Sequence, residues 1–121
     1  MNEDQATAKT LPEDTAQAID TMISITEKVI ESYENETNAV ALGNDTVFLE
    51  TTKDKMDMGT LYQKAANEFM EREQEFASLG GTALQDLINL QHKLKAEAQI
   101  NMNYLEQVEN KARAAVEGVQ K

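Results

Sequence analysis

Cysteine and tryptophan are absent from this chain of 121 residues, and histidine and proline occur once each. Without cysteine the chain can form no disulfide, no thiolate nucleophile and no cysteine-ligated metal centre. Aromatic residues make up only 5% of the sequence, and glycine occurs five times. β-Sheets are rich in aromatic and β-branched residues, whereas long helices with few turns have a composition of this kind. The composition therefore favours an all-α fold.

Positive charge is also scarce, with 11 lysine and arginine residues against 22 aspartate and glutamate residues and a net charge of −11. Nucleic acids and anionic lipid surfaces are bound through basic faces, so we expect the protein to bind neither. An acidic protein that mimics DNA is an alternative, although solvated acidic faces are common on helical proteins.

Long hydrophobic runs are missing as well. No stretch of about 18 apolar residues occurs, so no transmembrane helix is predicted. The first nine residues are polar and lack the apolar segment of a secretory signal, and we predict a disordered tail over residues 1–9. The expected localisation is the cytoplasm.

The remaining residues, 10–121, are predicted to form a single helical bundle domain. Apolar residues recur at alternating intervals of three and four, which is the spacing of coiled-coil packing. Glycines and capping residues divide the pattern: Thr10 to Glu13 resembles a capping box, Gly43 and Asn44 mark one turn, and Gly80-Gly81 marks another. The predicted helices cover residues 11–42, 46–79 and 82–119. We expect a long antiparallel helical hairpin or a three-helix coiled-coil-like bundle.

Three residues interrupt the apolar seams of these helices. Gly59 lies on the seam of the second helix, which indicates either close approach of a neighbouring helix or a hinge. Gln91 and Asn101 lie on the seam of the third helix. Buried polar groups at such positions can set the register of a coiled coil, and the alternative is a groove that opens for a partner.

No residue cluster predicts a catalytic, cofactor or metal site. The one histidine, His92, follows Asn89 at three residues, so the Glu-x-x-His motif of di-iron bundles is missing. No glycine-rich phosphate loop occurs, and the segment around Gly59 lacks the ligands of a calcium loop. The charged run from Glu68 to Glu75 is interpreted as a solvated helix face. We therefore expect neither an enzyme nor a cofactor-binding protein.

Two apolar groups widen the surface of the bundle beyond its seams. Ile100, Met102 and Tyr104 flank the seam of the third helix, and Met56 and Met58 lie on the second. Methionine-rich surfaces adapt to varied partners, so either group could bind another protein. The alternative is that both belong to an ordinary bundle core.

Three stretches resemble the FlgN-type flagellar export chaperones. They are the glutamate-rich end of the first helix with the turn Ala39-Val-Ala-Leu-Gly-Asn-Asp45, the helix carrying Lys53 and Lys55, and the segment Asn101-Met-Asn-Tyr-Leu-Glu-Gln-Val108. The likeness covers residues 20–116. It implies a helical cytoplasmic chaperone that binds a helical end of the hook–filament junction proteins, prevents their premature assembly and delivers them to the flagellar type III export apparatus.

The resemblance also implies where the client binds, because the C-terminal part of that family carries client binding. In this sequence the corresponding partner-binding residues are Leu94, Ala98, Ile100, Met102, Tyr104, Leu105, Val108, Ala112 and Val116. The alternative function is a self-assembling structural coiled-coil protein or a secretion-system component, whose seams close on other copies of the chain as a homo-oligomer.

Overall fold

The computed structural model describes residues 9–120, with side chains described for residues 9–118, and it is all-α. The predicted tail over residues 1–9 therefore lies outside the described residues except for Lys9. Four helices occur in the described part of the chain: α1 Thr15–Leu42, α2 Asp45–Glu71, α3 Glu73–Leu79 and α4 Thr82–Gln120. The predicted all-α helical bundle is confirmed.

Helix α1 lies at the centre of the arrangement, packing along both α2 and α4. The tight turn at Gly43 makes α2 antiparallel to α1, and the turn at Gly80 and Gly81 makes α4 antiparallel to α2. Helix α1 buries side chains over most of its length because two helices cover it. The buried residues of α1 are Ala18, Ile19, Met22, Ile25, Thr26, Val29, Ile30, Ser32, Glu36 and Ala39.

The apolar core lies toward one end of the bundle, around the first turns of α1 and the last turns of α2. Its buried members are Leu11, Ala18, Ile19, Met22, Ile25, Val29, Ala65, Phe76 and Leu87. Further residues pack against them while staying partly exposed, among them Tyr62, Phe69 and Leu94. Much of the core thus comes from α1, as its apolar stripe predicts.

The predicted start of the first helix is wrong. Residues 10–13 form no capping box, and α1 instead begins at Thr15 with Asp14 as its N-cap. The Asp14 carboxylate accepts a hydrogen bond from the Gln17 N–H at 2.9 Å, which satisfies one of the unpaired donors of the first turn.

Residues 10–13 are instead held against the end of α2 by two charged side chains. The Glu68 carboxylate accepts hydrogen bonds at 2.9 Å from the backbone N–H groups of Thr10 and Leu11. The Arg72 guanidinium donates to the carbonyl oxygens of Pro12 and Glu13, at 2.7 and 2.8 Å. Glu68 is buried, so the interpretation of the whole run from Glu68 to Glu75 as a solvated face is wrong at that residue.

The second predicted helix is divided in two at Arg72, whose backbone leaves the helical conformation at φ −109° and ψ 19°. The break brings Phe76 of α3 onto Phe69 of α2, with the rings stacked at 4.1 Å between centroids. Phe76 is buried, and the Arg72 guanidinium lies 4.9 Å from its ring centroid. Burial of an aromatic ring outweighs the one or two helical hydrogen bonds lost at the break.

The two predicted turns are confirmed. Gly43 ends α1 in the left-handed conformation at φ 68°, and the Asn44 side chain caps α2 by accepting from the Val47 N–H. Gly80 and Gly81 both have positive φ, at 68° and 83°. Helix α4 then begins at Thr82 itself.

Close approach of another helix of this chain at Gly59 is not found. A Cβ atom added at Gly59 would meet no atom within 4 Å. The glycine is exposed in the middle of α2, where it weakens the helix.

Two glycine substitutions should therefore change stability in opposite directions. Gly59→Ala should raise the free energy of unfolding by about 0.5–1 kcal/mol, because alanine favours the helix and has open space there. Gly43→Ala, equally free of neighbours, should lower it by roughly 1–2 kcal/mol because its φ is positive. Urea unfolding followed by circular dichroism measures both, and a destabilised Gly59→Ala protein would contradict this account of the helix.

Candidate partner-binding site on helix α4

The structure divides the nine predicted partner-binding residues into two sets. One set turns toward the bundle and is partly buried: Leu94, Ala98, Tyr104 and Leu105. The other set is exposed: Ile100, Met102, Val108, Ala112 and Val116. All nine lie on one helix, but only the second set offers apolar surface to a partner without rearrangement of the bundle.

The exposure of Val108, Ala112 and Val116 results from the difference in length between the helices, whereas Ile100 and Met102 lie in the part of α4 that runs beside α1 and are exposed on sides that α1 does not cover. Helix α4 has 39 residues and α1 has 28, which correspond to about 58 and 42 Å at 1.5 Å per residue. Gln91 lies beside Thr26 and Asn101 beside Glu36, so the two helices run parallel and α1 ends near residue 107 of α4. Residues 109–118 of α4 are exposed beyond that point.

Asn101 ties α4 to both other long helices through a buried polar cluster. Its amide nitrogen donates to the Glu36 carboxylate at 3.0 Å and to the Thr37 hydroxyl at 3.1 Å, and its amide oxygen accepts from Lys55 Nζ at 3.2 Å. Lys55 forms a salt bridge with Glu36 at 2.7 Å, and the Thr52 hydroxyl donates to the same carboxylate at 2.8 Å. Glu36 is 0% exposed and Asn101 is 2% exposed.

This cluster places a charge inside the bundle and stabilises it there. Burial alone raises the pKa of Glu36, but the hydrogen bonds from Lys55, Thr52 and Asn101 outweigh burial and lower the pKa below its ordinary value of 4.5. Lys55 Nζ also lies 5.4 Å from the ring centroid of Tyr33. The buried carboxylate therefore stays ionised near neutral pH, held by Lys55 and Thr52 of α2 and by Asn101 of α4.

The second polar seam residue, Gln91, also finds partners in the two other helices. Its amide oxygen accepts a hydrogen bond from the Tyr62 hydroxyl, and its amide nitrogen donates to Thr26 Oγ1 at 3.4 Å. Burial outweighs that hydrogen bond and raises the pKa of Tyr62. Both polar seam residues are thus paired inside the bundle, which favours their interpretation as register-setting groups over an opening of the seam.

The two apolar groups that widen the bundle surface have different environments. Met58 packs against the core, whereas the side chain of Met56 is 65% exposed. Ile100 and Met102 are exposed on α4, at 42% and 53%. Tyr104 instead lines a shallow groove with Val40 of α1 and Val108 of α4.

A second apolar depression, which the sequence analysis did not identify, runs between α2 and α4. It measures about 270 Å³ and is lined chiefly by Met22, Tyr62, Phe69, Met70, Leu87 and Ile88; we call it the α2–α4 furrow. Met70 is 71% exposed and Ile88 is 42% exposed. Both residues lie beside the apolar seams and not on them. Apolar residues beside each seam were therefore the sequence signal that could have indicated this depression.

Within the described residues, no three histidine or acidic side chains are grouped so that they could hold a metal ion. His92 is exposed on α4. None of the helices described here has the length and apolar character needed to cross a membrane. Comparison with models of known families, with curated proteins and with solved structures finds no match to this chain.

The buried cluster makes a pH-dependent contribution to stability. Because the pKa of Glu36 is lower in the folded protein than 4.5, its contribution is complete above pH 4.5 and is lost as the pH falls through the folded pKa. Glu36→Gln should therefore flatten the dependence of unfolding free energy on pH below 4.5. It should also cost roughly 1–3 kcal/mol at pH 7, because Lys55 loses its ionised partner.

Urea unfolding at several pH values measures this effect. Glu27→Gln, an exposed change on the same helix, is the matched control and should change stability by less than about 0.5 kcal/mol. Some acid sensitivity should remain in Glu36→Gln, because backbone N–H groups of Thr10 and Leu11 outweigh burial and lower the pKa of Glu68 as well. Superimposable pH curves for wild type and Glu36→Gln would show that the cluster does not stabilise the fold.

Proposed function

We propose that the protein is a non-catalytic chaperone that binds a helical segment of a client protein along α4. The observation that carries this proposal is the row of exposed apolar side chains near the end of α4, where Val108, Ala112 and Val116 follow one another at steps of four residues on one side of the helix. An apolar stripe on a single helix buries its surface most economically against another helix. The long unpaired end of α4 offers such a stripe beyond the bundle.

The client class follows from the resemblance to FlgN-type chaperones. The client would be a helical end of a hook–filament junction protein, held in the cytoplasm before delivery to the flagellar export apparatus. Two of the resembling stretches meet at one end of the bundle: Ala39 to Asp45 includes the turn between α1 and α2, and Asn101 to Val108 passes beside it. Their proximity in the fold supports a common role in the proposed function.

Self-assembly is the second candidate function, and the same exposed end of α4 favours it. Two copies could pair these ends as a coiled coil. The net charge of −11 on each copy opposes such pairing at low ionic strength. Sedimentation analysis over a range of protein concentrations separates this candidate from the chaperone.

A paired substitution tests the proposed function. Val108→Asp with Val116→Asp should reduce retention of a purified hook–filament junction protein at least tenfold, because both side chains are exposed apolar contacts on α4. The measurement is co-purification with a tagged form of this protein, with circular dichroism to show that the variant stays helical.

The matched control adds the same two charges on the other side of α4. Asn103→Asp with Asn110→Asp alters two exposed residues and should leave retention unchanged. If the wild-type protein retains no junction protein, the chaperone proposal is wrong. If it does and the valine variant retains the client equally well, the client does not bind along the end of α4.

A further inference from the structure

The edge of the α2–α4 furrow on α2 carries large apolar side chains that nothing in the described structure covers. Leu49, Met56 and Met70 are 69%, 65% and 71% exposed. Leu49 and Met56 are seven residues apart and Met56 and Met70 are fourteen apart, with Gln63 midway between the two methionines. Steps of seven return to nearly the same face of a helix, so these four residues form one edge that includes the Met70 wall of the furrow.

Helix α4 supplies the opposite edge with the same spacing. Ile88 and Met102 are 42% and 53% exposed, and Lys95 lies midway between them. The helices run antiparallel, with Tyr62 bonded to Gln91 and Lys55 to Asn101. A step of seven residues down α2 therefore matches a step of seven residues up α4, so that residues of the two edges lie opposite one another.

The paired edges are Met70 with Ile88, Gln63 with Lys95 and Met56 with Met102. Fourteen residues separate the first and last pairs on each helix, which corresponds to about 21 Å at 1.5 Å per residue. An apolar pair thus stands at each end of this span and a polar pair stands at its centre, with the depression itself at the Met70–Ile88 end.

The furrow has the position of a missing fourth helix. Helix α1 packs closely against α2 and α4, whereas the backbones of α2 and α4 approach each other little and are joined by side-chain hydrogen bonds. A helix laid across those bonds would complete a four-helix bundle opposite α1. Gly59 lies on the α2 seam in this span, and the open space around it allows a close approach of another helix.

The distribution of charge favours a particular occupant. Between Leu49 and Met70 the acidic residues of α2 all lie off the edge: Glu50, Asp54, Asp57 and Glu68. Asp45 lies on the side of the edge in the first turn of α2, before Leu49, and Glu71 follows Met70 off the edge. Lys95 is the one charged residue among the three pairs; the next step of seven along α4 reaches Glu109, opposite Leu49 and outside the span of those pairs. A second copy of the chain, also of net charge −11, would be repelled overall, whereas a helix with a carboxylate at its centre would be attracted to Lys95.

We propose that the α2–α4 furrow binds one amphipathic helix of a partner protein, about four turns long, as the fourth helix of the bundle. The apolar stripe of this helix faces the furrow, and an acidic side chain at its centre pairs with Lys95. The proposal rests on the proposed function in one respect, that the partner presents a helix. It differs in placing that helix in the furrow instead of along the end of α4.

Synthetic peptides test this proposal without knowledge of the natural partner. The probe is a fluorescein-labelled peptide of about 18 residues, with leucine at i, i+4, i+7 and i+11 and alanine at most other positions. One version carries glutamate beside the central leucines, and the other carries lysine there. Fluorescence anisotropy at low ionic strength gives the affinity of each version for the full-length protein.

The net charge of −11 attracts the lysine peptide to the whole surface, so the informative quantity is the ratio of the two affinities in each variant. Lys95→Glu should shift this ratio two- to fivefold toward the lysine peptide. Lys93→Glu, which makes the same charge change at an exposed residue off the edge, should leave the ratio unchanged. Met70→Lys with Ile88→Lys should weaken both peptides at least tenfold. Leu42 lies outside the furrow and is the most exposed of the large apolar residues, so Leu42→Lys should leave the affinity for both peptides unchanged.

Several results would overturn the proposal. They are the absence of peptide binding to the wild-type protein, unchanged affinity in the Met70→Lys and Ile88→Lys variant, and a wild-type dimer that the same variant dissociates. The last result would make a second copy the occupant.

The two proposals fail separately. If the client is retained but peptides do not bind the furrow, the chaperone proposal stands and the furrow proposal fails. If peptides bind the furrow but no junction protein is retained, the furrow proposal stands alone.

Discussion

The arrangement of the three long helices depends on one buried carboxylate. Glu36 lies on the central helix and receives Lys55 from α2 and Asn101 from α4, so each neighbouring helix is tied to the same group. A buried charge is costly unless it is paired and hydrogen-bonded, and any shift of either helix along α1 would remove a partner. The main effect of the cluster is therefore to penalise shifted registers, and its contribution to the free energy of unfolding is smaller than that penalty.

The apolar core alone would specify this register poorly. It lies toward the other end of the bundle, around Ile19, Phe76 and Leu87. The buried residues that flank Glu36 along α1 are the small residues Ser32 and Ala39. A second polar contact, between Gln91, Tyr62 and Thr26, lies between the core and the cluster. Apolar packing supplies most of the stabilisation and the polar contacts select the alignment, as seam asparagines do in coiled coils.

Because the core is small, part of the apolar surface of the helices remains uncovered. Three helices cannot enclose all the stripes that this sequence carries, so large apolar side chains such as Met70 on α2 and Met102 on α4 face outward. Between Leu49 and Met70 the acidic residues of α2 keep to other faces, which leaves the α2 edge uncharged over that span in an acidic chain. Exposed apolar surface bordered by polar residues is typical of protein-binding sites, and a helix is the partner whose shape fits a furrow between helices.

Periodicity and glycine placement by themselves determined the all-α class, the turns at Gly43 and Gly80, and the end of the first helix at Leu42. These features are local, because an apolar spacing and a left-handed glycine act within a few residues. The sequence also placed Asn101 on a seam, but its pairing with Glu36 joins residues that are 65 apart.

Only the tertiary structure decided the remaining features, since each depends on contacts between distant segments. Glu68 and Arg72 hold residues 10–13 against α2 and so move the start of α1 to Thr15, overriding the local capping pattern. Burial of Phe76 breaks the second predicted helix at Arg72. The apolar residues from Val108 onward are exposed because α1 is shorter than α4, a comparison that no single stretch of sequence contains.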